Sequence, residues 1–225
     1  VNPNVYVKPA YGPLKDFTPI SNFANVPGVM VVGVDSPYKT AQDVAEAARK
    51  APGKLNYGSS GNGGYSHLSG ALFGNTTGTQ ITPVPYKGLG PALNDLMAGQ
   101  IDVVFDNMPS SGGLIAGGKL RALAVSSPKR LASLPDVPTY AEVGLKPMNQ
   151  MSWYGIGAPA HLDAAVLNQL SAALKKTLQN PELVKTIEQQ SAIVDYQTPQ
   201  QFRQTVERSN QAWARLVKDI AFEKM

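Results

Sequence analysis

Strand-like and helix-like segments alternate through the first half of the chain. An uninterrupted apolar run, Val29–Val34, precedes a helix-like segment that Thr40 and Asp43 cap at its start. Further strand-like runs follow, each separated from the next by a helix-like stretch: 54–60, 80–86, 101–107 and 120–127. Because right-handed βαβ connections give this order, the pattern predicts an α/β fold with a largely parallel sheet.

Helices dominate the second half of the chain. They are predicted over 161–179 and 182–191, and a capping box at Thr198 opens a third. A strand is predicted over 151–159 and a short helix at 139–143. With 225 residues, of which 43% are hydrophobic, the chain can bury the core of one large domain or of two small ones.

The loop Gly58–Gly64 contains only glycine, serine and asparagine. A Walker loop would need a lysine here, a dinucleotide fingerprint would need glycine at position 66, and a hydrolase elbow would need Gly-x-Ser-x-Gly; the sequence has none of these. The unsatisfied N–H groups at the start of the next helix would instead stabilise an anion, and small side chains would let it approach the backbone. The alternative is a plain surface turn.

Polar residues also follow two other predicted strands. Tyr86 and Lys87 come after one of them, and Asp106 and Asn107 end another. Because ligands of open α/β sheets bind at the carboxyl ends of strands, these residues and the glycine-rich loop predict one edge of a binding cleft. Taken singly, Lys87 could be a solvated surface lysine and Asp106 a cap for the following helix.

Several function classes find no support in the sequence. The net charge is +4, from 20 basic and 16 acidic residues, and the basic residues are scattered, so we expect no nucleic-acid partner. The only two histidines are His67 and His161, and neither lies beside a nucleophile or in a metal-ligand spacing. We therefore expect no enzymatic activity, no catalytic residue, no cofactor and no metal.

Five segments together resemble one receptor family: DFTPIS, GKLNYGSSGNGGYSHLSGALF, PVPYKGLGPALNDLMAGQIDVVFDNMPS, GKLRALAVSSPKRLASLPDVPTYAEVG and SWYGIGAP. They are similar to the extracytoplasmic solute receptors of tripartite tricarboxylate transporters, the Bug receptors. The resemblance implies a type II periplasmic-binding-protein fold, with two α/β lobes, a hinge and a cleft between the lobes. The expected first lobe is 1–35 with 124–225, and the expected second lobe is 36–123.

The resemblance also implies a function. A periplasmic receptor would capture a small organic anion, a carboxylate or an amino acid, and deliver it to a membrane permease. The alternatives are the ligand-sensing domain of a regulator, although no helix-turn-helix segment is visible, and a small-molecule enzyme. Family chains begin with a leader and a strand that ends in a PxxPGG-type loop. Since that section is absent here, we expect the first lobe to lack its N-terminal strands and either to self-associate or to be mobile.

The family's ligand loop can be carried over onto this sequence position by position. The residues that match the loop or face it are Ser59, Ser60, Gly61, Asn62, Gly63, His67, Tyr86, Lys87, Asp106 and Asn107. The N–H groups of 61–64 and the Ser60 hydroxyl would hold a carboxylate. Asp106 would accept from an ammonium, a hydroxyl or a bridging water at the other end of the ligand. His67 would donate to the anion or serve as a packed core histidine.

Overall fold

The computed structural model describes residues 2–225, and the helices and strands account for most of them. The strands are β1 (Phe17–Val26), β2 (Gly28–Gly33), β3 (Asn56–Ser59), β4 (Thr82–Pro85), β5 (Val103–Asn107), β6 (Leu120–Ser126), β7 (Ser152–Pro159) and β8 (Ile193–Val194). The helices are α1 (Asn2–Val5), α2 (Ala41–Lys50), α3 (Tyr65–Thr77), α4 (Leu89–Met97), α5 (Met108–Ala116), α6 (Ala164–Thr177), α7 (Pro181–Gln189) and α8 (Pro199–Asp219), with a short 3₁₀ turn at Lys146–Met148.

The chain divides into two compact units. The first contains the described residues up to Val26 together with Ser152–Met225, and the second contains Pro27–Met151. The division thus falls after Val26 and before Ser152, whereas the sequence placed it at 35/36 and 123/124. The physical reason is that β2 pairs with both β5 and β6, which places β2 and β6 in the sheet of the second unit.

The second unit is built on a five-stranded sheet of order β4-β3-β5-β2-β6. β3 runs parallel to β4 and β5, whereas β2 runs antiparallel to β5 and β6. Four strands therefore point the same way, as the largely parallel prediction requires, and β2 runs against them. Only Pro27 separates β2 from β1, so no helix precedes β2, whereas a helix precedes each of the other four strands.

Helices cover both faces of this sheet. Val29, Met30, Val31 and Val32 of β2 are at most 1% exposed, and their side chains alternate between two hydrophobic clusters. Met30 and Val32 pack in the cluster that contains α2 and α3 residues, and Val29 and Val31 in the one that contains α4 residues. This three-layer arrangement explains why β2 reads as a continuous apolar run instead of an alternating one.

The first unit contains a three-stranded antiparallel sheet of order β7-β1-β8. α8 packs on one face, where the Trp153 ring lies edge-on to Phe202 with centroids 5.1 Å apart and its indole N–H donates to Ser209 Oγ at 2.9 Å. Tyr154 and Ile156 point to the opposite face and are 49% and 43% exposed.

Local capping signals set the helix ends. Both predicted capping boxes, Thr40 with Asp43 and Thr198 with Gln201, are present. The helix predicted over 161–179 is shorter, because the Asp163 side chain accepts from the amides of Ala165 and Val166 and so starts α6 later.

The helix predicted at 139–143 does not form. These residues make a turn because Thr139 is drawn into a parallel bridge with Val125, and the Tyr140 N–H donates to the Val125 carbonyl at 2.9 Å.

Candidate functional site

The polar strand ends of the second unit meet at one edge of its sheet. Ser59 pairs with Pro85 across β3 and β4, Gly58 pairs with Val104 across β3 and β5, and the Tyr86 N–H donates to the Ser59 carbonyl at 2.9 Å. We call the loop 59–67, the pair 86–87 and the pair 106–107 the sheet-edge site. The sequence correctly predicted that these three segments lie together; their contact with a ligand stays a prediction.

Ser59 lies at the base of the sheet-edge site. Its side chain is fully buried, and within residues 2–225 its Oγ has no hydrogen-bond partner. A buried hydroxyl without a partner costs about 1–3 kcal/mol, so a group that hydrogen-bonds it would be stabilised there. Ser60, by contrast, is already engaged: its N–H donates to Ser66 Oγ at 2.7 Å, and the two hydroxyl oxygens are 3.0 Å apart.

Two of the loop glycines donate their N–H groups to acceptors in the loop and in α3. The Gly63 N–H donates to His67 Nδ1 at 3.2 Å, and the Gly64 N–H donates to the Gly61 carbonyl at 3.3 Å. Among the residues that the structure describes, the amides of Gly61 and Asn62 donate to no group. The expected row of four donors at 61–64 thus reduces to two.

Helix α3 starts directly after this loop. Its N-cap, Gly64, has no side chain that could satisfy the first-turn amides. Such amides have no intrahelical partner and carry about half a positive charge between them. The first turn of this 13-residue helix, the two loop amides and the buried Ser59 hydroxyl all belong to the segment 59–67, and donors of these kinds favour an anion.

His67 supports the loop from the first turn of α3. Because its Nδ1 accepts from Gly63, the neutral ring carries its proton on Nε2. The ring lies edge-on to Tyr57 with centroids 6.2 Å apart, and burial lowers the pKa of His67. These contacts favour the packed histidine over the direct anion donor, the two roles between which the sequence left the choice open.

The His67 contact predicts a pH dependence of stability. Because the pKa of His67 is lower in the folded than in the unfolded protein, its contribution is present above the unfolded value of about 6.5 and lost as pH falls through the folded value. Urea unfolding at pH 7.5 and 5.5 should show a smaller loss for His67→Gln than for wild type. His161→Gln, an exposed position, is the control and should behave as wild type; an unchanged loss in His67→Gln would contradict the prediction.

Tyr86 and Lys87 take different positions at the edge. The Tyr86 hydroxyl donates to Asp95 Oδ2 at 2.7 Å, and burial together with that carboxylate raises the pKa of Tyr86 to about 12. Its hydroxyl is therefore committed to Asp95, a partner that the sequence did not suggest. Lys87 is exposed, and its ammonium contacts no acceptor in the described part of the chain.

Asp106 is fully buried and lies directly before the N-cap residue of α5. Its Oδ1 accepts from the Asn107 N–H and from the Ser110 hydroxyl, each at 2.6 Å, and its Oδ2 accepts from the Ser111 hydroxyl. Asn107 is half-buried at the end of β5 and is the N-cap residue of that helix. Because groups at the start of α5 occupy both of its oxygens, Asp106 fits a structural role there, which we call its capping role although Asn107 is the N-cap, better than ligand contact.

Two residues that contact this edge, Ser66 and Tyr65, were not predicted from the sequence. Ser66 holds the loop through Ser60, and a serine in the first turn of a helix was a usable signal for such a contact. Tyr65 reaches across to Gly28 of β2, where an added Cβ would collide with its hydroxyl. Since that contact depends on the place of β2 in the sheet, no local signal could have found it.

Metal-ligand clusters and membrane-spanning helices are both absent from the described residues. Over 2–225, three or more histidine and acidic side chains nowhere come together as they would around a metal ion. In the same residues no helix is both long and apolar enough to cross a membrane.

Comparison with known proteins gives consistent matches over the whole chain. Residues 1–222 match the family model described as tripartite tricarboxylate transporter family receptor. Protein BugT of Bordetella pertussis is 32% identical over 93% of this chain, and the match spans 64% of BugT, less than two thirds of its length.

Solved structures agree with this chain in fold. A periplasmic transporter is 41% identical with a TM-score of 0.88, covering 97% of this chain and 73% of its own. An R. palustris protein solved with adipate is 34% identical with a TM-score of 0.85, covering 96% of this chain and 73% of its own. These similarities confirm the predicted fold class, the two-lobed α/β fold of type II periplasmic binding proteins.

Proposed function

The chain belongs to the tripartite tricarboxylate transporter receptor family, and from that membership we propose that it captures a small carboxylate at the sheet-edge site and passes it to a membrane permease. The observation that carries the proposal is that loop amides, the first turn of α3 and the unpartnered Ser59 hydroxyl all belong to the one segment 59–67. The family is one of receptors, not of enzymes, and a receptor needs donors for its ligand but no nucleophile.

Several independent donors support the carboxylate assignment. The amides of Gly61 and Asn62 and the Ser59 hydroxyl would each form a charge-assisted hydrogen bond, worth about 1.5–3 kcal/mol. Backbone donors of this kind bind any carboxylate, so they set the chemical class of the ligand and leave its identity to other contacts.

The relatives support the same ligand class and location. The R. palustris protein was solved with adipate, a dicarboxylate, and it covers nearly the whole of this chain. The relative that is 41% identical is a periplasmic transporter. We extend the carboxylate class from the first of these proteins and the periplasmic location from the second to this protein, together with the proposed permease partner.

Ligand-dependent stabilisation without turnover tests the function. Adipate at about 100 times its dissociation constant should add about 2.7 kcal/mol to the free energy of unfolding. Adipamide, which has the same carbon chain but no charge, should add nothing. Proton NMR of the mixture should show adipate unchanged after a day, because a receptor releases its ligand intact. Equal effects of both compounds, or consumption of adipate, would contradict the proposal.

Self-association of the first unit is a second proposal. β7 is an edge strand without charged residues, and apolar side chains on β7 and α6 are 41–49% exposed: Tyr154, Ile156, Val166 and Leu170. Natural edge strands are usually protected by charge, and exposed apolar patches usually meet a partner.

Sedimentation velocity tests the self-association. Wild type should form dimers or larger species at micromolar concentration, and Ile156→Lys should shift them toward monomer. Val34→Lys, an equally exposed valine in the second unit, should not. A wild-type protein that sediments as a monomer at all concentrations would refute the proposal.

A further inference from the structure

Tyr65, the first residue of α3, reaches from the anion-facing end of that helix to the start of β2. Its hydroxyl occupies the place that a Cβ at Gly28 would take, with Ser126 Oγ next to it. Ser69 and Ser126 hydrogen-bond the same hydroxyl. The contact holds the first turn of α3 against two strands at once, β2 and β6.

Gly28 and Ser126 are themselves bound to each other. The Gly28 N–H donates to Ser126 Oγ at 2.6 Å, and Ser126 is fully buried. The Tyr65 hydroxyl, Ser126 Oγ and the Gly28 amide therefore form one chain of contacts. A displacement of the first turn of α3 must change the environment of the Gly28 N–H, because packed contacts of this kind have little free volume.

Gly28 lies at a special point of the chain. It is the second residue of the second unit, one position after Pro27, and it opens the strand that enters directly from β1. The Tyr65 hydroxyl is therefore anchored at the place where the chain passes from one unit to the other. Asn107 of the sheet-edge site also pairs with Gly28, from β5.

The Tyr65 hydroxyl stays protonated at neutral pH. Burial raises the pKa of Tyr65, and the nearby Asp106 carboxylate raises it further, although hydrogen bonds from Ser69 and Ser126 act in the opposite direction. Tyr65 can thus always donate one hydrogen bond and accept another.

We propose that Tyr65 is a positioning residue that couples ligand bound at the first turn of α3 to the chain crossing at Gly28. The proposal rests on the proposed function, since it takes the first turn of α3 as the anion site. A carboxylate that binds there reduces the motion of the first turn. Through the contacts of the Tyr65 hydroxyl, the motion of Ser126 and Gly28 is reduced as well. The mobility of the chain at Gly28 therefore depends on whether the sheet-edge site is occupied.

Hydrogen exchange with and without adipate tests the coupling. In wild type, adipate should slow exchange both in 60–67 and at the Gly28 amide, the latter by about tenfold. In Tyr65→Phe, adipate should still slow exchange in 60–67 but should leave Gly28 within about twofold of its ligand-free rate. A residue that only stabilised the fold would raise both rates without separating the two responses.

Matched variants complete the test. Tyr38→Phe removes a tyrosine hydroxyl of the same unit at a half-buried position outside the sheet-edge site, and it should keep the wild-type response at Gly28. Should Tyr65→Phe fail to fold, Ser69→Ala removes a partner of the same hydroxyl and should weaken the Gly28 response. The coupling alone is overturned if adipate slows exchange at Gly28 as strongly in Tyr65→Phe as in wild type. It is also overturned if adipate slows exchange in 60–67 of wild type but not at Gly28. No protection anywhere in wild type overturns the proposed function as well.

Discussion

Replacing Gly61 with valine should weaken adipate binding by about 100-fold, the larger of the effects expected at the sheet-edge site. Gly61 has a φ of 123°, a backbone conformation that a β-branched residue adopts only with severe strain. The loop would have to rearrange, and the amides of Gly61 and Asn62 would turn away from the anion.

Lys87→Met should weaken the same binding by less than about threefold, because this exposed ammonium acts through solvent and salt. Isothermal titration with adipate measures both variants. Gly90→Val is the control for valine substitution, since no atom lies within 4 Å of the added Cβ and the backbone there is helical. If Lys87→Met costs more than Gly61→Val, the anion lies at the lysine and not at the loop.

Asp106→Ala should lower the free energy of unfolding by about 3 kcal/mol, the largest stability effect expected here. The substitution removes the acceptor of the buried Ser111 hydroxyl and of the Asn107 N–H, whereas the Ser110 hydroxyl keeps a second acceptor, the Asn107 carbonyl at 3.0 Å. Asp106→Asn should cost about half as much, because a carboxamide keeps one acceptor oxygen and the serine hydroxyls can rotate to accept from its NH₂ group.

Urea unfolding measures the loss, with Asp136→Ala, an exposed aspartate in the same unit, as the control. Titration of Asp106→Asn with adipate and with 2-aminoadipate then separates capping from ligand contact. Equal affinity changes for both compounds would agree with a cap. A large loss confined to the amino compound would mean that Asp106 accepts from the ligand's ammonium and that the capping interpretation is wrong.

Local chemistry explains what the sequence predicted well. A capping box needs only residues three positions apart, so Thr40 with Asp43 and Thr198 with Gln201 could be recognised from the sequence alone. The glycine-rich loop and the polar strand ends were likewise placed at one edge, because parallel strands bring their carboxyl ends together.

Long-range contacts explain which features could not be predicted from the sequence. The reversed direction of β2 depends on its partners β5 and β6, which lie far along the chain. The hydrogen bond from Gly63 to His67 and the bonds that occupy Asp106 decide which polar groups remain available. Sequence spacing shows that these groups are near one another, but not which of them satisfies which.

The insertion of the second unit within the first has a consequence for the order of folding. Val26 of β1 pairs with Ser152 of β7, so the whole of the second unit lies between two residues that must meet. Closing so long a loop is entropically costly unless the intervening segment is already compact. During synthesis, β1 also leaves the ribosome well before β7 exists. The continuous second unit is therefore expected to fold first and to bring the two ends of its neighbour together, with β1 as the last strand of the early chain to find its partner.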